Sequence, residues 1–266
     1  MNLAKFALAM IAGSMAILAA MAQDSDQPQD EAANPEIILV AGATGRTGRL
    51  VITLLKDEGY HVRAMTRNAV NARETIGAEY DWVEADVRNP DSLTRIMKDV
   101  SRVISVIGAR RGDPTNTPEM VDYGGVAALV DAARAQGSIK HFVLTSSGGV
   151  THEEHALNAA YNNVLMWKLK GEDYLRASGI SYTVVRPLGL RDWAGSEYGV
   201  ILNQGDDVMD GLISRADVAA VIVEALSNED ARNKTFEIYN YKAMTSDAWR
   251  KNFSQLMADS HGQPSP

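Results

Sequence analysis

A glycine-rich run at residues 42–48 carries the clearest chemistry in this sequence. It reads Gly42-Ala-Thr-Gly-Arg-Thr-Gly48, directly after an apolar run at 36–41 and before an amphipathic segment at 49–58. Backbone without Cβ atoms can turn tightly and approach a pyrophosphate, whose charge the N-terminus of the next helix attracts. Because strand, loop and helix follow in that order, the pattern predicts a dinucleotide-binding loop. Its predicted cofactor-binding residues are Gly42, Thr44, Gly45, Arg46, Thr47 and Gly48.

A second signal concerns the 2′ position of the adenosine ribose. A site that prefers NAD places Asp or Glu about 20 residues after the last glycine. This chain has His61-Val-Arg-Ala-Met-Thr-Arg67 in that region, with no acid. Arg67 at the strand end, together with Arg46 in the loop, could hold a 2′-phosphate through planar guanidinium groups. The sequence therefore favours NADP as the cofactor, with NAD less favoured.

Strand-length apolar runs alternate with helix-length amphipathic segments along the rest of the chain. Further strands are predicted at 61–66, 80–87, 102–107, 141–145, 181–185 and 235–239, and helices at 90–100, 118–136, 159–178 and 215–226. Nearly continuous apolar strands that are connected by helices are typical of a parallel sheet covered on both faces. We predict an α/β fold, a Rossmann-like doubly wound parallel sheet of about seven strands, as a single domain at 36–257.

The first 22 residues have the pattern of a secretory signal peptide. A short segment with Lys5 precedes an uncharged run at 6–22, and Ala20-Met-Ala22 fits a cleavage site. Cleavage would export the protein, to the periplasm in a bacterium. The alternative is an uncleaved membrane anchor, which is the one case in which we expect membrane contact. The composition of residues 23–35 predicts a disordered linker, and that of residues 258–266 predicts a flexible tail.

Composition narrows the class of partner. The 266 residues include 26 Lys and Arg, 34 Asp and Glu and no Cys, with a net charge of −8. The absence of Cys excludes disulfides and thiolate metal sites, and the acidic balance argues against nucleic acid as a partner. His152 and His155 are three residues apart and not four, as a zinc helix requires, so no metal site is predicted. A small-molecule substrate is expected.

Several motifs in one order resemble the atypical short-chain dehydrogenase/reductases. The nearest branch is the NAD(P)-binding, NmrA-like group, which includes flavin and biliverdin-IXβ-type reductases. The resemblance covers about residues 36 to 240 and rests on the runs at 42–48, 62–67, 84–87, 145–149, 167–168, 178–187 and 215–219. It implies that Asp86 and Val87 contact the adenine, that Gly108 admits the adenosine, and that Pro187 borders the nicotinamide.

The resemblance also implies two catalytic residues, and the sequence departs from the family's pattern at one position. Ser146 follows the fifth predicted strand, and Lys168 stands where the family has the lysine that holds the nicotinamide ribose. Classical members carry a proton-donating Tyr four residues before that lysine, but position 164 is Val. Tyr161 lies seven residues before Lys168, about 10 Å along a helix, and is a poor substitute.

We therefore predict an NADP-dependent oxidoreductase of the atypical short-chain type that reduces a small acceptor without that Tyr. One alternative is a non-catalytic dinucleotide-binding sensor or assembly protein, which the loss of the Tyr would permit. A weaker alternative is a sugar-nucleotide epimerase, which the missing Tyr and the short C-terminal part disfavour.

Overall fold

A computed structural model describes residues 36–243 and 247–260 of the chain. The predicted signal peptide or anchor at 1–22 and the predicted linker at 23–35 lie outside the described residues. Within the described part, no helix is both long enough and apolar enough to cross a membrane.

One eight-stranded sheet organises the chain, in the order β3-β2-β1-β4-β5-β6-β10-β8. Seven of these strands are parallel to their neighbours, and β8 pairs antiparallel with β10 at the edge. The predicted doubly wound parallel sheet is therefore confirmed, with one strand more than expected. The strands are β1 (Ile37–Ala41), β2 (His61–Thr66), β3 (Asp81–Glu84), β4 (Val100–Ser105), β5 (His141–Thr145), β6 (Tyr182–Pro187), β8 (Gly199–Asn203) and β10 (Lys234–Tyr241).

Two short strands form a separate ribbon, β7 (Gly189–Arg191) and β9 (Leu212–Ser214), which pair in parallel. The sequence analysis missed this ribbon and β8. Strands β7 and β9 have three residues each, and β7 is exposed along its whole length. Such strands have no continuous apolar run, because they are not buried on both faces.

Within the described residues, seven α-helices cover the sheet: α1 (Arg46–Asp57), α2 (Ala69–Thr75), α3 (Pro90–Ile96), α4 (Gly124–Gln136), α5 (Ala156–Ala160), α6 (Val164–Arg176) and α7 (Arg215–Ser227). Helices α1 and α7 pack against each other, whereas α4 packs against α3 and α6. The side chains of β1 alternate between the two cores, with Ile38 and Val40 in one and Leu39 in the other. This alternation is what a strand buried on both faces produces.

The predicted helix at 118–136 is divided into two parts. Residues Glu119–Tyr123 form a π-helical turn, and α4 begins at Gly124. A π-helical turn adds a residue to the helical repeat and is common at functional sites.

The flexible tail predicted at 258–266 includes a residue that the structure holds in place, Asp259. The carboxylate of Asp259 accepts hydrogen bonds from the Thr235 N–H (3.0 Å), the Thr235 hydroxyl (2.6 Å) and the Tyr182 hydroxyl (2.9 Å). The prediction is therefore wrong at Asp259, whose side chain is fully buried. Residues 261–266 lie outside the described residues.

A buried histidine at the start of β5 is held in its neutral form. Thr183 donates its hydroxyl proton to the Ala231 carbonyl (2.7 Å) and so accepts from Nε2 of His141 (2.9 Å). Nδ1 of His141 lies 3.0 Å from the Ser181 hydroxyl. Burial, and to a smaller extent the charges of Arg232 and Arg102, lower the pKa of His141 from 6.5 to about 3.

This histidine predicts a loss of stability in acid. An unfolded histidine takes up a proton near pH 6.5, whereas the folded one does so only near pH 3. The stability that the neutral ring contributes is present above pH 6.5 and is lost as the pH falls, by at most about 1.4 kcal/mol per pH unit. We expect the free energy of unfolding of a His141→Gln variant to fall less steeply over this range. Equal slopes in urea denaturation series would contradict the assignment.

Candidate functional site

The glycine loop between β1 and α1 has the geometry that its sequence predicts. Gly42 has a φ of +87°, and a Cβ there would lie 2.7 Å from the Val106 carbonyl oxygen. A Cβ on Gly48 would lie 2.1 Å from the carbonyl oxygen of Gly42. Helix α1 has Gly45 as its N-cap, with no capping side chain and no acidic residue in its first turn. The helix therefore directs its first N–H groups and its positive end at the loop, which suits a pyrophosphate.

A cavity of about 210 Å³ lies beyond the carboxyl ends of β1 to β4, and we call it the nucleotide cavity. Arg67 and Arg88 both line it. Arg88 bonds to the Asp86 carboxylate (2.9 Å) and to the Thr115 carbonyl. The hydrogen bonds from Arg88 hold the pKa of Asp86 below its usual value. Of the predicted cofactor residues, the structure brings together here Gly42, Thr44, Gly45, Arg67, Asp86, Val87 and Gly108.

Arg46 does not join this group. Its guanidinium pairs with Asp192 (2.7 Å) at the surface, and Asp192 also pairs with Arg215 (2.6 Å). Arg46 lines neither this cavity nor the larger one described next, so the structure does not assemble the predicted clamp of Arg46 and Arg67. Arg88 lines the nucleotide cavity together with Arg67 instead. Its position directly after the predicted adenine contacts is the sequence signal that could have identified it.

A larger cavity, of about 670 Å³, adjoins the first and is called here the acceptor cavity. Gly108 lines both cavities, so they meet at the end of β4. Four predicted residues line the acceptor cavity besides Gly108: Thr47, Ser146, Lys168 and Pro187. Gly48 lines neither cavity, because it is buried beneath the loop.

Lys168 is held by an aspartate that the sequence analysis missed. Its ammonium lies 2.7 Å from Oδ1 of Asp122, which is almost completely buried. The other oxygen of Asp122 accepts the Ala109 N–H (3.0 Å). Asp122 lies in the π-helical turn, which directs this acid at the end of β4. An acidic residue on the apolar side of a predicted helix is the signal that could have found it.

Behind the acceptor cavity, a buried ion-pair network joins α6 to β6 and β10. Arg186 donates to both oxygens of Glu172 (3.1 and 2.7 Å) and to Glu237 (3.1 Å), and Arg176 also pairs with Glu172. Burial opposes the ionisation of Glu172, but the two arginines hold the pKa of its carboxyl below its usual value, and the Ser146 hydroxyl adds a smaller effect. The buried Ser146 hydroxyl has no hydrogen-bond partner within the described part of the chain.

Asp206 fixes the loop that follows Ser146. Its carboxylate accepts hydrogen bonds from the Gly149 N–H (2.6 Å), the Thr151 N–H (2.9 Å) and the Thr151 hydroxyl (2.8 Å). Its own N–H donates to Glu237 (3.1 Å), and its carbonyl lies 2.6 Å from Nε2 of His152. This fully buried aspartate ties the loop to the ion-pair network.

Tyr161 does not reach the acceptor cavity. Its hydroxyl donates to the Ala109 carbonyl, and its ring packs against the small core of Val150, Val164 and Leu165. Burial raises the pKa of Tyr161, and the charge of Asp122 raises it further. Among the described residues, no tyrosine lines the acceptor cavity. No group of three His, Asp or Glu side chains in that part of the chain is placed to hold a metal ion.

A family described as NAD(P)H-binding matches residues 42–229, which is most of the chain. The chain belongs to this NAD(P)H-binding family. Its matched region begins at the glycine loop and ends after α7, so it includes both cavities. Membership confirms the resemblance to the atypical short-chain dehydrogenase/reductases and the NAD(P)-binding character that the motifs imply. The family description covers both dinucleotides, so the preference for NADP stays a prediction.

Two proteins with similar sequences and one similar solved structure relate this member of the NAD(P)H-binding family to known proteins. Sanguinarine reductase of Eschscholzia californica is 30% identical over 241 residues, 76% of this chain and 88% of the reductase. An uncharacterised chloroplast protein of Arabidopsis thaliana is 34% identical over 246 residues, 88% of this chain and 86% of that protein. A Bacillus halodurans structure, described as an NAD-dependent epimerase/dehydratase, has a TM-score of 0.73 at 27% identity and covers 83% of this chain and 100% of its own.

Proposed function

We propose that this protein is an NADP-dependent oxidoreductase that reduces a small organic acceptor. The observation that carries the proposal is the junction of the two cavities at Gly108. Residues of the nucleotide cavity would hold the adenosine half of a dinucleotide, and the N-terminus of α1 would hold its pyrophosphate. Ser146 and Lys168 would then border the nicotinamide end, at the carboxyl ends of the parallel strands.

The residues present fit such a cofactor. The glycine loop leaves room that a Cβ would fill, and the first turn of α1 suits the pyrophosphate. Arg67 and Arg88 offer planar donors to a 2′-phosphate. Lys168, which pairs with Asp122, would donate hydrogen bonds to the nicotinamide ribose. When bound, the cofactor supplies a hydride, and the protein positions the acceptor against it.

The proton for the reduced acceptor comes from water or from Ser146 in this proposal. No tyrosine of the described chain lines the acceptor cavity. Acceptors whose reduced forms take up protons readily from water, such as quinones and flavins, suit a site of this kind. The same arrangement disfavours epimerase chemistry, for which the family's tyrosine would be needed. A similar reductase supports the oxidoreductase proposal.

Replacing Arg67 with alanine is expected to weaken NADPH binding by at least tenfold and to leave NADH binding nearly unchanged. The reason is that Arg67 lines the nucleotide cavity at the strand end where a 2′-phosphate would lie. Tenfold corresponds to about 1.4 kcal/mol. Calorimetric titration of the chain from residue 23 onward with each dinucleotide measures the effect.

Arg95→Ala is the matched control for this test. Arg95 is exposed on α3 and lines neither cavity, so the variant removes the same charge without a cofactor contact. If Arg67→Ala and Arg95→Ala weakened NADPH binding equally, the loss of affinity would come from the change in net charge and not from a contact between Arg67 and the cofactor. Equal affinity of the wild type for NADPH and NADH would contradict the preference for NADP.

A further inference from the structure

A small polar cavity adjoins the acceptor cavity, and we call it the rear cavity. Its volume is about 10 Å³, which is room for a single water molecule. Thr145 and Ser146, at the end of β5, and Lys168, on α6, line both cavities. Asp122 lines the rear cavity and not the acceptor cavity. Three polar side chains therefore separate a space of one water's size from the acceptor.

Buried polar atoms that lack a hydrogen bond are concentrated in the wall of the rear cavity. Of the seven such side-chain atoms in the described residues, three line it: Oδ1 of Asp122, Oγ1 of Thr145 and Oγ of Ser146. Oδ1 of Asp122 forms an ion pair with the Lys168 ammonium (2.7 Å) but without hydrogen-bond geometry. Buried polar groups in proteins are nearly always bonded to protein or to an ordered water. These three atoms need a partner inside the cavity.

Glu172 is the other acid close to Ser146, since the Ser146 hydroxyl affects its ionisation. The two oxygens of Glu172 already accept hydrogen bonds from Arg176 (2.5 Å) and Arg186 (3.1 and 2.7 Å). Glu172 does not line the rear cavity. The Ser146 hydroxyl is therefore expected to find its partner in the rear cavity.

A water molecule matches the polar groups of this wall. It can donate to Oδ1 of Asp122, accept from the Lys168 ammonium and exchange hydrogen bonds with the two hydroxyls. Buried waters typically make about three hydrogen bonds to groups that are otherwise unpaired. A metal cation fits less well, because the ammonium would repel it. The rest of the wall is apolar and consists of Ile107, Val126 and Leu144.

We propose that the rear cavity holds an ordered water that returns a proton to Ser146 after Ser146 has protonated the acceptor. Thr145 is a positioning residue, because its hydroxyl holds this water beside Ser146. The inference rests on the proposed function, since it names the proton path of the same site.

Each proton on this path has a source and a destination. The acceptor gains a hydride, which a bound nicotinamide cofactor supplies, and one proton. The Ser146 O–H bond breaks as its proton forms a new O–H bond on the acceptor. The water gives a proton to Ser146 and takes one from the Lys168 ammonium, while Asp122 stays ionised. Lys168 also lines the acceptor cavity, so it regains its proton from solvent after the product leaves.

A crystal structure of the protein tests the water site without turnover. The expected result is one water in the rear cavity, within about 3.2 Å of Oγ1 of Thr145 and of at least one more polar atom of the wall. Thr145→Val removes the hydroxyl at nearly the same shape and is expected to displace this water, whereas Thr145→Ser is expected to retain it. A wild-type structure that shows other buried waters but none here would overturn the inference.

The rate of NADPH oxidation by naphthoquinone tests the proton path. At saturating NADPH and quinone, Thr145→Val is expected to be at least tenfold slower than the wild type, since general acid catalysis typically contributes about 100-fold or more. Its KM values should stay near those of the wild type, because the water acts on the transition state. Thr145→Ser should recover most of the rate.

Two outcomes separate the water site from its function. A Thr145→Val variant that has lost the water and still turns over as the wild type does would overturn the proton path. A wild type that holds the water but oxidises no NADPH would contradict the proposed function and the proton path with it, while the crystal structure would still establish the water site.

Discussion

A Gly48→Ala variant is expected to bind NADPH at least about fivefold more weakly than the wild type, or not at all. The added Cβ would lie 2.1 Å from the Gly42 carbonyl oxygen and 2.9 Å from Cα of Ala43. Both are backbone atoms of the loop that receives the pyrophosphate, so the loop must open to accommodate the methyl group. Overpacking of this kind costs about 1–3 kcal/mol, which corresponds to roughly five- to more than a hundredfold in affinity.

Gly59→Ala is the control that separates binding from stability. Gly59 ends the turn after α1 with a φ of +85°, and a Cβ there would meet nothing within 4 Å. Alanine at that φ costs stability, about 1 kcal/mol, without touching the loop. We expect Gly59→Ala to unfold at a lower temperature than the wild type and to bind NADPH with the affinity of the wild type. If Gly48→Ala bound NADPH as the wild type does, the glycine loop would not be the pyrophosphate site.

An Arg186→Met variant is expected to lose about 3–5 kcal/mol of its free energy of unfolding, because removing one partner of a buried ion pair leaves an uncompensated charge. The side chains of Arg186, Glu172 and Glu237 are all at most 3% exposed. Without Arg186, Glu172 keeps Arg176, whereas Glu237 loses the guanidinium to which its Oε1 is bonded. Urea denaturation near neutral pH measures the loss.

Two further variants identify the cause of that loss. Adding Glu237→Gln to Arg186→Met removes the uncompensated carboxylate and should restore part of the stability. Arg232→Met breaks an exposed pair with Glu229, and such pairs contribute at most about 1 kcal/mol. A loss in Arg186→Met no larger than that in Arg232→Met would show that the buried network is not what holds β6 and β10 to α6.

The sequence predicted those parts of the site that lie on one continuous segment. The glycine loop could be recognised because strand, loop and helix are consecutive, and the central strands because burial on both faces leaves an apolar run. Pairings between distant segments were not predictable in this way. Asp122 and Lys168 lie 46 residues apart, and only the π-helical turn directs the acid at the lysine.

Charged side chains were predicted least well, because their direction depends on partners that no local pattern reveals. Arg46 is part of the loop motif, yet it pairs with Asp192, which lies 146 residues further along the chain. Asp206 looks like an ordinary loop acid in the sequence, but the fold buries it and gives it five hydrogen-bonding contacts. In both cases the tertiary partner, and not the residue type, decides the role.

The most direct test of the proposed oxidoreductase is anaerobic oxidation of NADPH by naphthoquinone, followed by the loss of NADPH absorbance and the yield of quinol. We predict oxidation in proportion to the amount of protein, with one quinol formed for each NADPH consumed, and a rate at least tenfold lower in Lys168→Met, about 1.4 kcal/mol in the barrier. The rate measured with Gly48→Ala, which is expected to bind NADPH weakly or not at all, is the background rate of NADPH oxidation. A wild type that binds both NADPH and naphthoquinone, yet oxidises NADPH no faster than that background, would contradict the proposal and favour a binding protein without turnover.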